Sequence, residues 1–275
     1  MANIKIDYKA KKYFGQNFLS DNTVLKRIAS FANLDKETTV IEIGPGLGSL
    51  TKELLKDSKK VIAYEIDKDI IPKLENNLKD FDNLEIIEKD ILKADLSYIC
   101  SLDGKVILVS NLPYNITSPV ISLFLEKLNN VDKAIFMVQK EVQERLCAKV
   151  STKDYNAFTI LVNYYATVKK LLDVNRTCFK PVPNVDSAVI ELDKRETKIK
   201  SKNEIFFEKI VEVCFKERRK TLLNNLCVFL KTSKEETIVL LEKLDIDPLK
   251  RAETLSIDDF ILLSNKLEAV YESKR

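Results

Sequence analysis

The sequence predicts a doubly wound α/β sheet followed by a small all-helical domain, and three observations carry that prediction. Short apolar runs recur every 20 to 25 residues between positions 39 and 138, separated by segments of helical period. The first run leads into Gly44-Pro45-Gly46-Leu47-Gly48-Ser49-Leu50-Thr51, a glycine-rich strand-to-helix turn. From residue 204 onward the period is helical, with no further strand signal.

Taken in order, the chain opens with KAKKYFGQNFLSD over residues 9–21, where lysines and aromatics interleave around Gly15, and Asp21 can cap a helix over 22–32. Strands are expected at 39–43, 61–64, 84–88, 106–109 and 134–138, with helices at 69–79 and within 139–146. The run Val106-Ile107-Leu108-Val109 is continuous rather than alternating, which marks a strand buried on both faces. Beyond it the pattern changes. Residues 158–165 and 185–192 read as longer strands joined by a linker to Leu172, an antiparallel pair at the sheet edge. The polar segment 194–203 reads as a linker, and helices follow over 204–230, 234–244 and 257–271, with Ser233 and Ser256 as caps. The domains are expected to be 1–200 and 201–275.

Composition narrows the function. The chain has 275 residues, 45% hydrophobic and 32% charged, within the range of globular proteins. No apolar run approaches the roughly 18 residues of a membrane span, and the N-terminus lacks a signal-like apolar region, so a cytoplasmic location is expected. Five cysteines without CxxC spacing suit free thiols in a reducing compartment, not a metal site. The absence of histidine excludes His-based triads and His-ligated metals. Net charge is only +3, but basic residues cluster twice, in an arm with Lys5, Lys9, Lys11 and Lys12, and at Lys216, Arg218, Arg219 and Lys220. Either cluster suits a phosphate backbone or a solvated face.

The chemistry-bearing residues fall at the ends of the expected strands. Glu65 closes the second strand, 21 positions beyond Gly44, where an acidic side chain can take both ribose hydroxyls of a nucleoside. Asp90 and Ile91 follow the third strand; they can face an adenine ring, and Asp90 can equally cap a helix. The fourth strand delivers Asn111-Leu112-Pro113-Tyr114. There the Asn111 carboxamide and the Leu112 carbonyl can accept from an exocyclic amine, Tyr114 offers a flat face, and Pro113 stiffens the turn. The same residues could instead merely shape a strand-ending turn. Together they specify a nucleoside cofactor beside an amine acceptor. A dinucleotide oxidoreductase fits poorly, because Ser49 replaces the third glycine of its fingerprint.

The motifs KKYFGQNFLSD, VIEIGPGLGSLT, YEID, NLPYNITSPV, FKPVPNVDSAV, FKERRKTLLNNL and RAETLSIDDF make the chain resemble the bacterial small-subunit ribosomal RNA adenine dimethyltransferase family over nearly its whole length. Where that family usually has Pro-Gly and Tyr-Gly, this chain has Val150-Ser151 and Tyr155-Asn156. The resemblance implies a Rossmann-like S-adenosylmethionine-dependent methyltransferase sheet with a small C-terminal helical domain. It implies dimethylation of two adjacent adenosines near the 3′ end of small-subunit rRNA, within an immature 30S particle, by a monomer that needs neither metal nor membrane. By motif position Asn17, Leu19, Gly44, Gly46, Glu65, Ile66, Asp90, Ile91 and Asn111 would bind the cofactor. Asn111, Leu112, Pro113, Tyr114 and Phe179 would handle the adenine, with Tyr114 and Phe179 sandwiching it, while Lys11, Lys12, Arg218, Arg219 and Lys220 would meet RNA. Two relatives of this reading are a large-subunit rRNA adenine methyltransferase, which shares the Asn-x-Pro-Tyr turn, and an assembly checkpoint that acts mainly by binding.

Overall fold

Nine strands are present in the computed structural model, which describes residues 8, 10–194 and 200–274, the side chain of Lys12 excepted. In chain order they are β1 (Phe18–Leu19), β2 (Thr39–Ile43), β3 (Lys60–Glu65), β4 (Leu84–Glu88), β5 (Val106–Asn111), β6 (Val131–Gln139), β7 (Ala166–Val174), β8 (Phe179–Lys180) and β9 (Ser187–Lys194). The helices are α1 (Asn22–Phe31), α2 (Ser49–Asp57), α3 (Ile71–Leu78), α4 (Ser97–Cys100), α5 (Thr117–Lys127), α6 (Lys140–Leu146), α7 (Ala157–Tyr165), α8 (Glu204–Lys216), α9 (Leu222–Leu230), α10 (Lys234–Glu242) and α11 (Ile257–Ser273). Asp21, Ser233 and Ser256 cap their helices as expected, the two serines in reciprocal capping boxes.

Seven strands form one sheet in the order β4-β3-β2-β5-β6-β9-β7. The β4-β3-β2-β5-β6 part is parallel, and β9 pairs antiparallel with both β6 and β7. β2 is buried along its full length and β5 to its penultimate residue, as continuous apolar strands covered on both faces should be. β1 and β8 form a separate antiparallel pair, Leu19 opposite Phe179.

The strand order reverses between β2, from which the sheet winds to β3 on one side, and β5, from which it winds to β6 on the other. Here the ladder opens. β2 pairs with β3 as far as Ile43 and Tyr64, but with β5 only as far as Ile41 and Leu108. The buried Ser110 hydroxyl then accepts from the Ile43 N–H at 2.7 Å, replacing the missing ladder bond. A crevice at such a switch point is where open α/β sheets bind ligands.

Among the described residues, those up to 143 together with 166–194 form one compact unit, and 144–165 together with 200–274 form the other. The segment 144–165, placed with the sheet by its sequence, thus belongs with the C-terminal helices. It also contains a misread element. Residues 158–165 are not a strand but helix α7, and the strand of the edge pair, β7, begins at Ala166. Tertiary packing overrides the β-branched and aromatic composition here. Ile160 and Tyr164 are buried with Phe207, Ile210 and Phe260 in one apolar cluster, while Asn156 and Thr159 cap the helix by reciprocal hydrogen bonds at 3.2 Å. Asn156 therefore has a role of its own as the cap of α7. Ser151 keeps the glycine-like backbone, at φ 68°, and its N–H donates to the Glu253 carbonyl at 2.8 Å.

The helical run expected over 204–230 is two helices, broken at 217–221, and Asn225 of α9 donates back across the break to the Cys214 carbonyl of α8 at 2.9 Å. The linker expected at 194–203 lies partly outside the described residues. No described helix is long and apolar enough to cross a membrane.

Candidate active site

The glycine-rich turn follows β2 at the open ladder. Gly44 has φ 68° and stands so close to the other loop of the site that an added Cβ would lie 3.4 Å from the Pro113 ring. Gly48, at φ 87°, would drive a Cβ to 2.7 Å from Leu74, so it lets α2 and α3 pack closely. The cleft formed here encloses about 930 Å³ including its mouth. Its walls include every expected cofactor residue, Asn17, Leu19, Gly44, Gly46, Glu65, Ile66, Asp90, Ile91 and Asn111, together with Leu112, Pro113 and Tyr114.

Glu65 is 4% exposed. One carboxylate oxygen accepts from the N–H groups of Ile66 and Asp67 at 2.9 Å, the other from that of Gly46 at 3.2 Å. Burial pushes its pKa upward against these donors. Asp90 caps a turn rather than a helix, its Oδ1 accepting from the Leu92 N–H at 3.0 Å, and the residue lines the cleft. Next to it Ile91 is buried and Ile66 is half exposed, two apolar surfaces suited to the faces of a flat ring.

Asn111 ends β5. Its Nδ2 donates to the Asn17 carbonyl at 3.2 Å, which fixes the carboxamide and leaves Oδ1 to accept from a ligand. Pro113 holds φ −56° and ψ 131°, so the turn is extended and stiff. The Tyr114 hydroxyl is tied to the fully buried Ser187 hydroxyl at 2.8 Å, which anchors the ring from outside the motif.

Two expected roles change. Phe179 does not line the cleft. It is 0% exposed, packed with Leu19, Leu25, Val174 and Val189, because alternation along β8 turns Phe179 inward and Lys180 outward. It offers no face to a base. Lys11 does not present a free charge to phosphate: its ammonium lies 2.6 Å from Asp67 and 2.6 Å from Asp69, which pushes its pKa upward. The side chain of Lys12, like all of Lys5 and Lys9, lies outside the described residues. Arg218, Arg219 and Lys220 are exposed as expected, but they sit on the turn after α8 rather than on consecutive helical positions. Arg218 donates to the Lys153 carbonyl at 2.8 Å and lies 3.7 Å from Glu253, while Lys220 pairs with Glu217 at 2.8 Å.

Sequence reasoning missed Glu42. This β2 residue lines the cleft at 1% exposure, and neither its Oε2 nor the neighbouring Thr51 hydroxyl has a hydrogen-bond partner. Burial raises its pKa to about 8, opposed by the nearby Thr51 hydroxyl and helped by the negative charge of Glu65. An acid inside an otherwise apolar strand was the available signal. Among the described residues no cluster of acidic or thiol side chains is arranged to hold a metal ion.

The profile of the ribosomal RNA adenine dimethylase family matches residues 7–269. A Geobacillus protein named ribosomal RNA small subunit methyltransferase A is 44% identical, covering 97% of this chain and 94% of its own. Among solved structures, a dimethyladenosine transferase from Plasmodium falciparum superposes with TM-score 0.75 at 30% identity, over 94% of this chain and 98% of its own. The 23S rRNA methyltransferase ErmE gives TM-score 0.70 at 27% identity, over 92% and 100%.

Proposed function

The chain belongs to the ribosomal RNA adenine dimethylase family, and on that premise we propose that it dimethylates the exocyclic amines of two adjacent adenosines in the 3′-terminal hairpin of small-subunit rRNA, using S-adenosylmethionine. We place this activity in the cytoplasm, on an immature 30S particle, with the enzyme acting as a monomer.

The residues of the cleft fit the cofactor. Glu65 would take the ribose hydroxyls, Asp90 and Ile91 the adenine, and the glycine turn would let the cofactor approach its backbone. The orphaned Glu42 oxygen is a buried acceptor with no protein partner, a suitable seat for the ammonium group of the aminoacyl end. Bound there, S-adenosylmethionine would supply a methyl group already activated by its sulfonium.

The observation that carries the proposal is the pinned carboxamide of Asn111, held by the Asn17 carbonyl with its acceptor end left for a ligand. An adenine amine is a weak nucleophile because its lone pair is conjugated with the ring. Accepting hydrogen bonds from its N–H groups at Asn111 Oδ1 and the Leu112 carbonyl pulls the nitrogen toward tetrahedral geometry and aims the lone pair. Alignment does most of the work, so no general base is needed before transfer, in keeping with a chain that lacks histidine. The target base must leave its stack to reach the turn, and one face of Tyr114 can repay about 1–3 kcal/mol of that cost.

The test is methyl transfer from radiolabelled S-adenosylmethionine to undermodified 30S particles, naked rRNA and 50S particles, with the modified base mapped. Two dimethylated neighbours in the 30S hairpin are expected. The similarity to ErmE supports a second reading, a large-subunit target, and label confined to 50S particles or naked large-subunit rRNA would select it.

A further inference from the structure

The network around Asp67 is larger than a loop carboxylate needs. Its side chain is 1% exposed. Oδ1 accepts from the Lys11 ammonium at 2.6 Å and the Asp69 N–H at 3.2 Å; Oδ2 accepts from the Tyr8 hydroxyl and the Gln16 carboxamide, both at 2.8 Å. Three of the four donors come from a segment more than 50 positions earlier in the chain. That segment is closed on itself, since the Lys11 N–H donates to Gln16 Oε1 at 2.8 Å. Hydrogen bonds from Lys11, Gln16 and Tyr8 outweigh burial and hold the Asp67 carboxyl below its ordinary range, so it stays charged and the network stays intact near neutral pH.

Asp67 also touches both halves of the cleft. Its own N–H donates to Glu65 at 2.9 Å. The residue after Gln16 is Asn17, whose carbonyl holds the Asn111 carboxamide. Further along, Phe18 packs on Leu47 and Ile70, close enough that a Cβ on Gly46 would meet its ring at 3.0 Å. A line of contacts thus runs from Glu65 through Asp67 and Gln16 to Asn17 and Asn111.

We infer that Asp67 is a positioning residue that seats the N-terminal segment over the cleft and thereby sets both the Glu65 loop and the Asn111 carboxamide. The inference rests on the cofactor reading of the cleft. In this role Lys11 is a latch on the protein rather than an RNA contact. Coupling of this kind predicts that loosening the segment raises the KM for S-adenosylmethionine and lowers kcat together, because one network orients both the ribose acceptor and the amine acceptor.

The experiment compares the full chain with Asp67→Asn, Asp67→Ala and Lys11→Met. For each, calorimetry gives S-adenosylmethionine affinity, single-turnover methylation of 30S particles gives the rate, and amide exchange reads residues 10–19. Asp67→Asn keeps the shape and one acceptor but removes the charge; Lys11→Met leaves the Glu65 loop untouched. Faster exchange confined to residues 10–19, with affinity and rate each reduced about tenfold or more in Asp67→Ala and less in Lys11→Met, is the expected result. Unchanged protection of that segment in Asp67→Ala would overturn the inference. So would lost protection with wild-type affinity and rate, or loss of protection throughout the sheet unit in all three variants. Absence of cofactor binding by the unaltered chain would sink the functional reading and the coupling with it. Equal binding and rate in all four proteins would sink the coupling alone.

Discussion

The cleft of the sheet unit and the basic turn of the helical unit are both short loops after a regular element, yet they treat polar groups in opposite ways. In the cleft, Glu65 is 4% exposed and takes three backbone N–H donors, and the Asn111 carboxamide is held at one end. On the turn, the side chains of Arg218 and Lys220 are 52% and 50% exposed, and their carboxylate partners are close in the fold but open to water. A desolvated hydrogen bond to a charge is worth about 1.5–3 kcal/mol, whereas an exposed ion pair rarely exceeds about 1 kcal/mol. Substitutions should therefore act abruptly in the cleft and gradually on the turn.

The sharpest expected contrast is at Asn111. Asn111→Ala removes the amine acceptor and should lower single-turnover methylation about 100-fold or more, the scale of losing one preorganised polar contact at a reacting centre. Its melting temperature should stay near that of the parent. Retention of a tenth of the parental rate would break the comparison at its strongest point.

Glu65→Ala comes next. Loss of the ribose acceptor should weaken S-adenosylmethionine binding by about 1.5–3 kcal/mol in calorimetry, with 30S affinity in the absence of cofactor unchanged. Equal cofactor affinity would remove Glu65 from the site.

Glu42 supplies a pH-dependent effect of intermediate size. Its folded-state pKa near 8 exceeds the ordinary 4.5, so between these values the folded chain holds a proton that the unfolded chain has released. This contribution is complete at acid pH and is lost as pH rises toward 8, by up to about 1.4 kcal/mol per unit. Urea melts at pH 5, 6.5 and 8 should show Glu42→Gln gaining stability relative to the parent as pH rises. Parallel pH profiles would mean that Glu42 is ionised and satisfied.

The smallest effect belongs to the turn. Replacing Arg218, Arg219 and Lys220 by Glu should weaken 30S binding stepwise and reduce its salt dependence, while cofactor binding and melting temperature hold. A lowered melting temperature with an unchanged salt slope would make the Arg218–Glu253 and Lys220–Glu217 pairs structural and cancel the contrast.

How much of this was legible follows the same division between local and distant contacts. The strands β2 to β6, the capped helices and the line of Gly44, Glu65, Asp90 and Asn111 at strand ends are readable because each depends on local signals: continuous apolar runs, glycine at positive φ, caps, and spacing along a repeating unit. Helix α7 was not, since residues 158–165 carry strand-like side chains and become helical only by burial against α8 and α11. Phe179 was misassigned because a motif records that an aromatic is present, whereas its direction depends on pairing with Leu19, far away in sequence. Lys11 looked like a phosphate contact until the fold brought Asp67 and Asp69 to it.

By itself, then, the sequence determined the order of the parallel strands β2 to β6, the chemistry available at their ends and the family. Only the tertiary structure decided which charged groups face solvent and which are consumed inside, and which aromatic reaches the cleft. The physical reason is that a hydrogen bond or a buried face needs two partners, and those that decide function here lie tens of residues apart along the chain.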